Sequence, residues 1–132
     1  VYGNDVYTKE HLYKIELLNE DLAKEINNAI AEGIEDESYV VADYAGKQNI
    51  KELKKLGIFI IKCNKGEGSI EGGLQKLRSS NLYIHKKSDN LKYELNHYCY
   101  IYKINLLGER KIVPIDKDNH LIDSLRYSLS IY

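Results

Sequence analysis

Two uninterrupted apolar runs of strand length, Tyr39-Val40-Val41-Ala42 closing on Asp43 and Ile58-Phe59-Ile60-Ile61, bracket a segment from Ala45 to Gly57 that repeats its apolar residues at helical spacing. In that segment Ile50, Leu53 and Leu56 share one side, lysines occupy the other, and Gly57 is placed to terminate the helix. Strands covered on both faces have unbroken apolar runs, and a helix between two such runs is the crossover that parallel pairing requires. The alternation therefore predicts a βαβ unit in an α/β sheet. Asp43 ends the first of these strands. Ligands of open α/β sheets gather at the carboxyl ends of strands, so one carboxylate is expected at the rim where chemistry is done.

The remaining elements follow from local signals. Val6-Tyr7 and Leu12 to Ile15 read as one or two short strand pieces or a loop. Leu18, Asn19, Glu20 and Asp21 supply a hydrophobic staple, an N-cap and an acidic first turn for a helix whose apolar face is Leu22, Ala23, Ile26, Ala29 and Ile30. Gly33 is expected to stop it, with Glu35-Asp36-Glu37 as an acidic surface loop. After the second buried run comes Lys62-Cys63-Asn64-Lys65-Gly66-Glu67-Gly68-Ser69, with Ser69 as the N-cap of a helix carrying Ile70, Leu74 and Leu77. Such a loop can offer free amides and an ammonium to a phosphate, and it can equally be a plain turn. Its spacing is not that of a Walker loop, so ATP use is not expected. Leu82 to His85 reads as a strand, and Ser88 to His97 as a helix capped by Ser88 or Asp89. Tyr98 to Tyr102 and Arg110 to Val113 flank Leu107-Gly108-Glu109 as a β-hairpin that Pro114 ends. Its tyrosines can stack on bases or simply pack as good strand formers.

The last stretch, Asp116 to Tyr132, predicts an amphipathic helix with Ile122, Leu125 and Leu129 inward and Asp118 or Asn119 as its cap. His120 and Asp123, three positions apart, fall on one face, a spacing that suits two ligands of one ion. The competing reading makes both solvated first-turn residues, with Asp123 paired to Arg126 or Arg110. A metal reading needs a second acidic position to converge on them.

Composition narrows the class. The 132 residues suit one domain, and 43% hydrophobic with 30% charged residues is ordinary for a globular protein. With 19 basic against 20 acidic residues the net charge is -1, so no bulk positive field advertises a polyanion, and a local patch would have to meet one. Cys63 and Cys99 are isolated, which fits a reduced cytosolic setting better than a disulfide framework. No signal peptide or bilayer-spanning run is visible. The chain contains no Met and opens mid-pattern at Val1, so an excised or N-terminally truncated domain over residues 1–132 is expected.

Three pieces in order carry a family resemblance: Val40-Val41-Ala42-Asp43, the segment from Ile50 to Ile70 with its Lys65-Gly66-Glu67-Gly68-Ser69-Ile70, and D-N-H-L-I-D-S-L-R-Y from Asp118 to Tyr127. Together they resemble the nuclease domain of the large subunit of tailed-phage DNA-packaging terminases, over roughly residues 39 to 129. The resemblance implies a ribonuclease H-like α/β fold, a mixed sheet flanked by helices, with an accessory β-hairpin before the C-terminal helix. It implies that Asp43, Asp123 and His120 are the catalytic and metal-binding residues, that Mg²⁺ or Mn²⁺ is the cofactor, and that Lys65, Lys62 and Ser69 face DNA. By the same likeness the activity would be two-metal cleavage of concatemeric double-stranded DNA. The partners would be double-stranded DNA, the terminase ATPase domain, the small subunit and the portal, in the host cytoplasm and without a membrane. Tyr44-Ala45-Gly46-Lys47 departs from the family pattern after Asp43, and the family's first strand, with the first catalytic Asp, is expected to be missing from residues 1–132. A catalytically inactive remnant that binds metal or DNA without cutting is therefore the alternative, and a junction resolvase of the same fold a third reading.

Overall fold

The computed structural model describes residues 1–32, 39–63 and 65–132, so the expected stop at Gly33 and the acidic loop 35–37 lie outside the described residues. The elements run β1 (Asp5–Thr8), α1 (Asn19–Glu32), β2 (Val40–Ala42), a 3-10 turn (Tyr44–Gly46), α2 (Lys47–Lys55), β3 (Ile60–Lys62), α3 (Ser69–Arg78), β4 (Asn81–Ile84), α4 (Asp89–His97), β5 (Tyr100–Ile104), β6 (Arg110–Pro114) and α5 (His120–Leu129). The predicted βαβ unit is present: β2 and β3 pair in parallel, Val40 opposite Ile60 and Ala42 opposite Lys62, with α2 as the crossover. A second parallel ladder joins β1 to β4, and β5 pairs antiparallel with β6 as the expected hairpin.

Hydrophobic burial follows the sequence periodicity except at Ile30 and Leu56, which were expected on the apolar faces of their helices and are exposed. Ala23 of α1, Ile50 and Leu53 of α2, Ile58 and Ile60 form one core cluster, against which Leu22, Ile26, Val40 and Ala42 pack. Fully burying each of the larger aliphatic side chains is worth about 2 kcal/mol. Around α5, the buried Ile122 and Leu129 accompany Leu74 of α3 and Leu91 of α4, and α5 touches α3, α4 and β2. The C-terminal helix thus ties β2, and hence Asp43, to α3 and α4.

Helix ends depart from the sequence expectation in instructive ways. At α2 the Gly57 amide donates to the Lys54 carbonyl and the Ile58 amide to that of Leu53, closing a Schellman turn with Gly57 at φ 88°, as its identity predicted. The helix expected to begin at Ala45 instead opens with the separate 3-10 turn, because the Asp43 carboxylate accepts the Ala45 N–H and tightens the chain there. Ser69 is not the cap of α3. Gly68, left-handed at φ 75°, takes that place, a conformation Ser would adopt only with strain. Ile70 consequently points outward, and Phe59, expected in a buried strand, is also exposed ahead of the residues of β3 that pair.

Neither Asp118 nor Asn119 caps α5 through its side chain. The buried Glu94 of α4 does so from across the packing interface, its Oε2 accepting the N–H groups of Leu121 at 2.7 Å and Ile122 at 3.1 Å. Helix α4 is closed in a similar way by Glu10, whose carboxylate accepts from the Leu91 amide and the Asn90 side chain while its own N–H donates to the buried Ser88 hydroxyl.

Candidate functional site

Asp43 follows directly on β2, at the strand end the βαβ reading expected. Its Oδ1 accepts the Ala45 N–H at 2.9 Å and its Oδ2 accepts from Lys65 Nζ at 2.5 Å. The Lys65 hydrogen bond, then the Ala45 amide, holds the Asp43 carboxyl below the usual carboxylate range, while the same contact raises the Lys65 ammonium above its ordinary value. Lys65 lies in the loop between β3 and α3, so the crossover that aligns the two parallel strands also brings the carboxylate and the ammonium to one rim.

Asp123 lies one turn into α5. Its Oδ1 accepts from Arg126 Nη2 at 2.7 Å and Nε at 3.2 Å, and Arg126, only 5% exposed, also donates to the Ser69 carbonyl at 3.4 Å. Gly73 of α3 is what admits that guanidinium stem: a Cβ at this position would stand 3.0 Å from Arg126 Cδ and 3.3 Å from its Cβ. On the other side Tyr98 lies within the field of Asp123, and burial followed by that negative charge pushes the phenol up.

Tyr127 links the two halves. Lys65 Nζ sits 5.5 Å and Arg126 Cζ 5.2 Å from the centre of its ring, both within range of a cation–π contact. Asp43, Lys65, Tyr127, Arg126 and Asp123 therefore form one continuous chain of contacts from the end of β2 to α5. Of the remaining expected residues, Ser69 enters through its backbone carbonyl and Lys62 is the exposed last residue of β3. His120 is exposed at the first position of α5 and lines an open cleft with Leu12, Tyr13, Lys14, Ile15, Leu121 and Ser124. The local pairing of Asp123 with Arg126, one of the two sequence readings, is what forms.

Carboxylates from two separate elements are the hard oxygen donors that Mg²⁺ or Mn²⁺ takes, and in that respect the residues fit such an ion. Among the described residues, however, no three His, Cys, Asp or Glu side chains are gathered to hold a metal, and each of the two carboxylates is neutralised by a basic side chain. Sequence reasoning passed over Glu94, Tyr127 and Gly73. Glu94 was detectable in principle, since it falls at helical spacing with the apolar Leu91 and so on the inward face of α4.

The sequence matches the family described as Terminase RNAseH like domain over residues 1–131. The chain belongs to this terminase family. Among solved structures it is similar to the nuclease domain of the large terminase of bacteriophage SPP1, determined with bound Mn, at 25% identity and a TM-score of 0.74, covering 96% of this chain and 70% of that one. It is also similar to the large terminase of a thermophilic bacteriophage, at 22% identity and a TM-score of 0.76, covering 99% of this chain and 34% of that one. The ADP complex of the same thermophilic-phage protein gives a TM-score of 0.74 at 23% identity, with 96% and 33% covered. The chain thus spans about a third of that large terminase. No curated protein gives a significant match. The ribonuclease H-like α/β fold expected from the motifs is borne out, with the hairpin immediately before the C-terminal helix. No helix among the described residues is long and apolar enough to cross a membrane.

Proposed function

We propose that this terminase domain is a Mg²⁺- or Mn²⁺-dependent endodeoxyribonuclease that cuts concatemeric double-stranded DNA during packaging. Its partners would be an ATPase motor domain, the small subunit and the portal, in the host cytoplasm. The observation that carries the reading is the continuous contact chain from Asp43 at the end of β2 to Asp123 on α5. Mn bound in the SPP1 nuclease domain supports the choice of ion. Asp43 and Asp123 would hold it, with His120 orienting water at the α5 terminus. A divalent ion supplies an acidified water and a Lewis acid for a departing oxygen. The chain's own residues fix the geometry: the Ala45 amide orients one Asp43 oxygen, Arg126 fixes the rotamer of Asp123, and Lys65 and Lys62 with the Ser69 end of the loop present positive charge to the phosphate backbone.

Incubation with supercoiled plasmid and Mn²⁺ tests this. Nicking by the native chain should fall by about 100-fold or more in Asp43→Asn, equivalent to roughly 2.7 kcal/mol of lost transition-state stabilisation. Nicking that persists undiminished in the variant would remove Asp43 from the reaction. A second reading is favoured by the basic partners of both carboxylates and the lack of a third donor among the described residues. On that reading the domain binds DNA or metal without cutting, and the native chain leaves the plasmid intact while still retarding duplex DNA in a gel.

A further inference from the structure

We propose that Lys65 is a resident counter-cation of Asp43 that a divalent ion has to displace, so that this one side chain controls access of the metal to the carboxylate. The inference rests on the reading of Asp43 as a metal ligand and adds to it the group that controls access. Three observations carry it. The Asp43 carboxylate is engaged at both oxygens by the chain's own groups, Oδ1 by the Ala45 amide and Oδ2 by the Lys65 ammonium. An ammonium 2.5 Å from Oδ2 occupies the space a Mg²⁺ or Mn²⁺ would need, since such ions lie about 2.1 Å from their oxygens, and two cations on one oxygen repel. Lys65 also has somewhere to go. Its side chain is 45% exposed, and its ammonium already lies over the Tyr127 ring, 5.5 Å from the centre, a contact that can remain when the bond to Asp43 is given up.

The arrangement makes Lys65 responsive to substrate. A DNA phosphate at Lys65 competes with the Asp43 carboxylate for the exposed ammonium, so arrival of the backbone draws Lys65 off Asp43 and opens that oxygen as the scissile region is engaged. Arg126 does not share this freedom, because it is buried against Gly73 and bonded to the Ser69 carbonyl. Of the two basic side chains on the carboxylates, Lys65 is the movable one.

Mn²⁺ titration of the protein without DNA, read from the electron paramagnetic resonance signal of free Mn²⁺, tests the gate directly. Lys65→Met, which keeps the length of the stem and removes the charge, should bind Mn²⁺ about tenfold tighter than the native chain, and Lys65→Arg should bind as the native chain does. Equal affinity of Lys65→Met and native protein, with Asp43→Asn weaker, overturns the gate and leaves the nuclease reading standing. Native-like Mn²⁺ binding by Asp43→Asn takes Asp43 out of the ligand set and overturns both. Amide spectra of each variant, matched to the native one, establish that the fold is retained.

Discussion

Glu94→Ala should lower the unfolding free energy by about 3 kcal/mol and the melting temperature by roughly 10 °C in a domain of this size. Glu94 is 1% exposed, and one of its oxygens accepts two amide protons at the start of α5 while the other accepts the Tyr13 hydroxyl at 3.3 Å. Truncation leaves both amides without a partner in a dry interface and removes the negative charge from the positive end of the helix dipole. Glu94→Gln keeps an acceptor at the same position, so it should cost about 1 kcal/mol. Thermal unfolding followed by circular dichroism checks the pair. Equal losses in both variants would mean that the charge, not the two hydrogen bonds, is what α5 depends on.

Asp123→Ala should be costlier to stability than its partly exposed position suggests, by about 3 kcal/mol. The reason lies with its partner. Arg126 is buried and donates from both Nε and Nη2 to the Asp123 carboxylate, with Nη1 donating to the Ser69 carbonyl, so truncation strands a guanidinium between α3 and α5. Asp123→Asn retains an acceptor oxygen for Arg126 and should lose about half as much. Denaturant unfolding of both variants separates these values, and a loss of less than about 1 kcal/mol in Asp123→Ala would show that Arg126 finds another partner. The consequence for function is practical. Activity lost in Asp123→Ala mixes chemistry with folding, whereas activity lost in Asp123→Asn reports on the carboxylate.

The parts of this fold written in short-range periodicity were readable from the chain itself. The runs at 39–42 and 58–61 and the helix between them gave the parallel pair, and Gly57 gave the Schellman turn. What escaped were interactions whose partners lie far apart along the chain. Glu94 caps a helix 27 residues away and Glu10 one 81 residues away, so no local window could have revealed either. The candidate site divides along the same line. Asp43 was visible because a strand end is a local feature, and its lysine partner follows from the next loop of the same βαβ unit. His120 and Asp123 read as a pair because three positions on a helix differ by only about 60° in azimuth. Less legible were the groups around them: His120 also lines the open cleft beside Leu12 to Ile15, and Asp123 is held by the guanidinium whose stem packs against Gly73.

Whether the acidic groups of β2 and α5 serve one ion can be read from amide resonances of the domain during addition of substoichiometric Mn²⁺, whose paramagnetism broadens nearby signals. With one shared ion, resonances of residues 42–45 and 122–124 broaden together at the first additions, with those around Glu32 and Asp89 unaffected. Broadening confined to one of the two segments, or appearing first at the surface carboxylates, would contradict a shared site.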